Sequence, residues 1–376
     1  MFKIIVMRIV FWQNCLSPHQ LPYIAHLLDD ERVDEVVVVA GETMSSARKD
    51  MGWSVAQYEG LDRCKVYVHP HDNIIYSLFE KRQDNSHHLF SGIRADMFVF
   101  KCLKISMAFS LKRGIITERP NTYDFKHNIS NAKPYWLHRI RFWLQDRKYA
   151  KHIQTVFAMG HEAVEYFQTL GMKWQVFPFC YCTLPVSNNI INSSLNDKLP
   201  KYLFCGSLTS WKAPLAIVRA LLKIDTKTIG SINFIGDGSL YRALEYEVKK
   251  NALESKIHLL GIKPQKEVPV FMQQADIFIL PSLYDGWGAV VNEALQAGCF
   301  VICSDAAGAS DLILQDKQLG KVYNHGNIDQ LASCMEWCNK HICEVRGKRE
   351  FRKKWAEEHI SGIAVAHYMI DCLEKV

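Results

Sequence analysis

The sequence holds no uninterrupted apolar run of the roughly 18 to 20 residues that a bilayer-crossing helix needs, so no segment reads as a membrane span. Its twelve cysteines form no paired Cys-x-x-Cys knuckles. Cys180 and Cys182 stand too close in sequence for an ordinary structural bridge, and a reducing cytoplasm is the expected setting. Lys3 and Arg8 interrupt the apolar start and no small-residue cleavage site follows, so Met1 to Trp12 reads as a first buried strand rather than a signal peptide. Compositional disorder is missing as well: 48% of residues are hydrophobic and 22% charged, as in ordinary folded chains.

What is present is enough chain for two cores, because 376 residues exceed what a single core usually organises. Short β-branched runs alternate with helix-length amphipathic stretches, the pattern of βα units around parallel sheets. Strands are predicted at 4–11, 33–40, 65–69, 88–91, 114–118, 155–159 and 175–177, and again at 202–205, 232–235, 257–260, 277–280 and 300–303. Between the two series the Asn- and Ser-rich stretch Val186 to Pro200 shows neither period and reads as a linker. The fold class is therefore α/β: two Rossmann-like, doubly wound parallel-sheet domains, 1–185 and 201–355, facing each other across a cleft at the carboxyl ends of their strands. A last helix, about 356–376, is expected to pack back on the first domain.

The net charge of +6 is unevenly placed. Between Lys101 and Lys151 there are twelve Lys or Arg and three acids, a local excess of +9 against −3 for the rest of the chain. Within it, Pro134 to Ala150 sets Trp136, Ile140, Trp143 and Leu144 at helical spacing among Arg139, Arg141, Arg147 and Lys148. Such a helix suits an anionic membrane interface; it equally suits a helix that packs its aromatics into a core, since periodicity does not separate the two. Nucleic acid is not the expected partner, because no recognisable binding motif accompanies the charge.

The stretch Ala275 to Asp311 carries the chemistry. A buried strand ends at Pro281 and Ser282, a loop presents Asp285, Gly286, Trp287 and Gly288, and a helix follows. Glycines there let the backbone approach a ligand, and unpaired N–H groups at a helix start favour phosphate. Asp285 and Glu293 bracket the turn with seven residues between them. By spacing alone they also fit a helix cap and a solvated helix residue.

This stretch resembles the donor-site signature of family 4 glycosyltransferases, in which two glutamates seven residues apart bracket a Gly-aromatic-Gly turn; here Asp285 stands for the first. The resemblance implies a retaining enzyme of GT-B fold, with Asp285 on hydroxyls of the transferred sugar and Glu293 on the ribose of a nucleotide diphosphate sugar. Two further motifs agree in order and spacing. Tyr202 to Lys212 is similar to the strand and loop whose arginine and lysine neutralise the donor diphosphate: after Gly206, Lys212 matches, whereas Ser207 stands in the arginine's place. Gly236, Asp237 and Gly238 are similar to the family's Gly-Asp-Gly turn, although alone they are merely a good turn. No Asp-x-Asp occurs, so neither cofactor nor metal is expected.

In the first half, Ser17 and His19 follow the first strand, and Glu118 and Arg119 end the strand 114–118. All four are expected at the acceptor, with His19 also reaching the transferred sugar; a structural histidine and a local surface ion pair are the plain alternatives. The expected whole is a cytoplasmic transferase at the inner face of a membrane, acting on a glycan or lipid-linked acceptor in cell-surface polysaccharide or glycolipid synthesis. Catalysis would rest on Asp285, Glu293, Lys212 and His19. A GT-B sugar epimerase, an inverting transferase, or a nucleotide-sugar-binding protein with weakened turnover are the alternatives, the last raised by Ser207 and Asp285.

Overall fold

The computed structural model describes residues 6–44, 61–81, 85–127, 133–183 and 199–376. β1 (Met7–Cys15), β2 (Val33–Glu42), β3 (Lys65–Val68), β4 (Ser86–Phe90), β5 (Lys112–Glu118), β6 (Thr155–Met159) and β7 (Gln175–Phe179) form one parallel sheet in the order 3-2-1-4-5-6-7. β8 (Lys201–Cys205), β9 (Ser231–Ile235), β10 (Ile257–Leu259), β11 (Ile277–Leu280), β12 (Phe300–Ser304) and β13 (Gly320–Tyr323) form a second, in the order 10-9-8-11-12-13. Helices cover the sheets, which is why the central strands are apolar almost throughout: β1 buries every residue except Asn14, and β11 and β12 bury all of theirs. In each sheet the chain reverses its direction of growth beside the first strand, leaving a crevice at the carboxyl ends of β1 and β4 and of β8 and β11.

β1 runs to Cys15, four residues beyond the expected end, because it pairs with β2 along its length. β13 adds to the expected strands. It is four residues long and its pairing with β12 is what makes it a strand; at Gly320 a side chain would collide with the Val301 carbonyl. The expected linker lies outside the described residues except for Leu199 and Pro200, whose carbonyls accept from Arg346 and from the Gly230 N–H, both at 3.0 Å.

The C-terminal helices divide at Ser361, five residues past the expected start of the returning segment. Helix Arg349–Ile360 belongs with the second sheet, since the buried Arg352 donates to the Gly298 carbonyl at 2.8 Å. Ser361 then caps helix Gly362–Leu373 through the Ala364 N–H at 3.1 Å, and this helix lies on Leu21–His26 of the first domain. Gly362 is needed for that approach, as a Cβ would come within 2.5 Å of the Pro22 carbonyl oxygen. Arg32 fastens the far end to Asp371 and Glu374, at 2.9 and 2.8 Å.

The basic stretch forms helix Tyr135–Arg141, a π-helical turn over Phe142–Asp146 and a last turn Arg147–Ala150. Phe142 is buried, whereas Trp136, Ile140, Trp143 and Leu144 are exposed, at 59%, 50%, 46% and 78%. Of the two readings open from periodicity, packing into the core does not hold for these four side chains.

Candidate functional site

The turn after β11 is held from two sides. The Leu283 N–H donates to the Trp211 carbonyl at 2.7 Å, tying it to the loop after β8, and the Asp285 N–H donates to the Ala306 carbonyl at 3.0 Å, tying it to the segment after β12. Gly288 has φ +93°, a conformation side chains resist, and a Cβ there would press on Leu280. The Trp287 side chain, expected on the face of the loop, turns inward. Its ring is buried and its Nε1 donates to Asn292 Oδ1 at 2.9 Å, while Asn292 Nδ2 donates to the Tyr181 carbonyl at 2.8 Å. The indole thus fastens the turn to helix Val290–Gln296 and that helix to the first domain.

Lys212 and Asp285, assigned from sequence to different parts of one ligand, meet each other directly as a half-buried ion pair. Glu293 is half-buried in helix Val290–Gln296 and its carboxylate makes no hydrogen bond among the described residues. Burial alone pushes its carboxyl up to about 7. Two glycine turns form the neighbouring wall. The Gly206 N–H donates to the Ile235 carbonyl at 3.0 Å and the Leu208 N–H to the Asp237 carbonyl at 2.9 Å, and a Cβ on Gly236 would lie 2.0 Å from the Gly206 oxygen. Ser207 Oγ is 3.5 Å from Thr209 Oγ1, and Asp237 Oδ1 accepts from the Gly238 N–H at 2.7 Å, facing solvent.

The first domain closes against this wall. Glu118 lies on Gly286, with its Oε2 where a Cβ of that glycine would stand, so any side chain at 286 would displace it. Arg119 is no surface ion pair: it is buried, pairs with Glu162, donates to the Ala306 carbonyl, and lies 4.8 Å over the Tyr284 ring. Tyr123 and Phe125, which follow β5, meet Tyr284 at 6.1 and 5.9 Å between ring centroids, and Phe125 meets Trp211 at 5.0 Å. Farther along, His161 pairs with Asp311, and Gly160 faces Gly308.

The other two first-domain candidates follow β1. Ser17 is buried and its carbonyl accepts from Gln20 and Leu21, starting a helix. His19 is half-buried with its ring 5.7 Å from Tyr181, the residue whose carbonyl Asn292 holds. Glu162, Tyr284 and the aromatic group around it escape sequence reasoning, because their partners are distant in the chain and only the adjacency of Tyr284 to Asp285 offers a signal.

Residues 187–357 match the family model described as Glycosyl transferases group 1. Among curated relatives, an uncharacterized glycosyltransferase of Methanocaldococcus jannaschii is 30% identical over 41% of this chain and 40% of its own. An N-acetylgalactosaminyltransferase of Campylobacter jejuni, named for its diphospho-undecaprenol-linked acceptor, is 32% identical over 33% of each chain. The chain thus spans less than half the length of these relatives. The whole architecture is similar to that of Anabaena HepE solved with UDP (TM-score 0.67, 15% identity, covering 98% of this chain and 100% of that one). It is also similar to the lipopolysaccharide outer core galactosyltransferase WaaB (TM-score 0.67, 14% identity, 98% and 100%). The fold is GT-B.

Burial of Glu293 has a measurable cost. Its folded-state value is raised from 4.5 to about 7, so the protonated carboxyl is the form the fold favours, and the associated stability is lost as pH climbs through that window. Glu293→Gln is therefore expected to melt like the parent near pH 5 and higher than it at pH 8, by on the order of 2 kcal/mol. Equal melting at both pH values would overturn the assignment of a desolvated carboxyl.

Proposed function

Taking residues 187–357 as a group 1 glycosyl transferase domain set in a GT-B frame, we propose that this chain is a retaining glycosyltransferase that uses a nucleotide diphosphate sugar. The observation that carries the reading is the Lys212–Asp285 pair, with Asp285 eight residues before Glu293, whose carboxyl makes no hydrogen bond among the described residues. The diphosphate takes Lys212, the sugar hydroxyls take Asp285, and the ribose hydroxyls donate to Glu293. As the bond from sugar to diphosphate breaks, negative charge grows on the leaving oxygen; Lys212 and the backbone N–H groups after Gly288 stabilise it where water is scarce. Metal is not required in this scheme. The first domain, about 1–185, holds the acceptor hydroxyl, with Glu118 at the contact between domains.

A lipid-linked or membrane-bound glycan is the acceptor class we favour, supported by the exposed apolar side chains of Tyr135–Arg141 and the turn that follows, ringed by exposed Arg139, Arg141, Arg147 and Lys148. The tryptophans would enter the headgroup layer of an anionic inner leaflet while the cations meet its charge.

Calorimetry and nucleotide release across a panel of UDP-, GDP- and other sugar nucleotides test the enzyme reading: one donor should bind and turn over, undiminished by EDTA. If none binds, the reading falls. Because ribose hydroxyls donate to a carboxylate, affinity for the nucleoside diphosphate should drop about tenfold per pH unit below 7 in the parent, and this dependence should vanish in Glu293→Gln with affinity already weakened. Asp285→Ala releases Lys212 from its partner. It should bind free nucleoside diphosphate as tightly as the parent or several-fold tighter while transferring sugar at least about tenfold more slowly; weaker diphosphate binding in the folded variant would count against competition between ligand and acid. Vesicles carrying anionic lipid should sediment the protein at low salt and lose it when Trp136 and Trp143 are both replaced by Ala. The same loss is expected near 1 M salt, where screening shortens to about 3 Å. No sedimentation at low salt removes the membrane claim.

A further inference from the structure

Arg119 was expected at the acceptor, yet its side chain is nine-tenths buried and turned toward the back of the donor turn. Its guanidinium reaches both domains. Nη1 donates to Glu162 in helix His161–Gln168, and Nη2 donates to the main-chain oxygens of Ala306 and, at 3.3 Å, Asp285. Glu162 is in turn held by the Tyr135 hydroxyl. Arg119 Nε is buried and makes no hydrogen bond among the described residues.

We propose that Arg119 is a positioning residue for sugar transfer: from the first domain it fixes the backbone of Asp285 by spanning the two loops that follow β11 and β12. Asp285 and Ala307 already form a short parallel bridge, which makes those two loops one unit, and Arg119 grips that unit by its carbonyls. The planar fork suits this task, whereas a lysine ammonium would meet one carbonyl or Glu162 but not all three. Glu162 balances a cation that is otherwise taken out of water, and the Tyr135 hydroxyl keeps that carboxylate aimed. Lys212 and Glu293 take no part in the grip. Loss of Arg119 should therefore spare nucleotide binding and misplace the acid that meets the transferred sugar.

The proposal rests on the donor-site reading above, and the variants separate the two. In Arg119→Ala, with melting recorded, affinity for UDP or GDP, whichever the parent binds, should stay within about threefold while turnover falls about tenfold to a hundredfold at unchanged donor KM, the scale of a misplacement near 1 Å. Arg119→Lys should do no better. Millimolar guanidinium should restore part of the turnover of Arg119→Ala, which a general loss of folding would not allow. Should the alanine variant fold poorly, Glu162→Gln gives the same reading more mildly, with a smaller fall in turnover at unchanged nucleotide affinity. Parent-like turnover in folded Arg119→Ala, full recovery in Arg119→Lys, or no response to guanidinium overturns the proposal. If instead Lys212→Ala and Glu293→Ala bind nucleotide like the parent, the donor-site reading fails, whatever Arg119 does.

Discussion

Two opposite charges taken partly out of water in the crevice must balance each other, and here Lys212 and Asp285 do so by meeting directly. An isolated ammonium or carboxylate at this depth would carry a desolvation penalty of several kcal/mol. Paired, the two hold the loop after β8 against the turn after β11, and the same logic repeats behind them in Arg119 with Glu162. Glu293 is the exception. No ion pair holds it among the described residues, and burial raises its carboxyl to about 7, so keeping it ionised near neutral pH costs the fold stability.

Much of this was legible in the chain because β-branched runs bounded by glycine and helix-length stretches leave few alternatives to paired parallel sheets. What was not legible follows from the range of the signal. β13 exists through its pairing with β12, so four residues ending in Val322 and Tyr323 could not announce it. The segment from Ala275 to Asp311 was readable because Asp285, the glycines and Glu293 are close in sequence. Glu162 was not, because its role is created by Arg119, which lies 43 residues earlier. Trp287 misled for a related reason: an aromatic between two glycines looks displayed, yet the glycines serve the backbone and the ring fills the space behind it. The helix from Tyr135 shows the limit of periodicity itself, since apolar spacing tells that one face differs from the other without telling which faces inward.

Two described stretches of chain near the boundary between the domains lie side by side. Cys182 Sγ is 3.6 Å from the carbonyl oxygen of Ser361, where the last helix returns to the first domain. Within one residue of that point, Tyr181 and Thr183 hold Asn292 and Gln296, the residues flanking Glu293 on its helix. Two neighbouring stretches of chain thus join the domains at one corner of the crevice. Glu293 sits close to that corner, between Asn292 and Gln296, and Glu118 meets Gly286 elsewhere along the crevice. The two ends of the crevice are therefore held differently: near Glu293 by hydrogen bonds from Asn292 and Thr183, and at Gly286 by the bare approach of the Glu118 carboxylate.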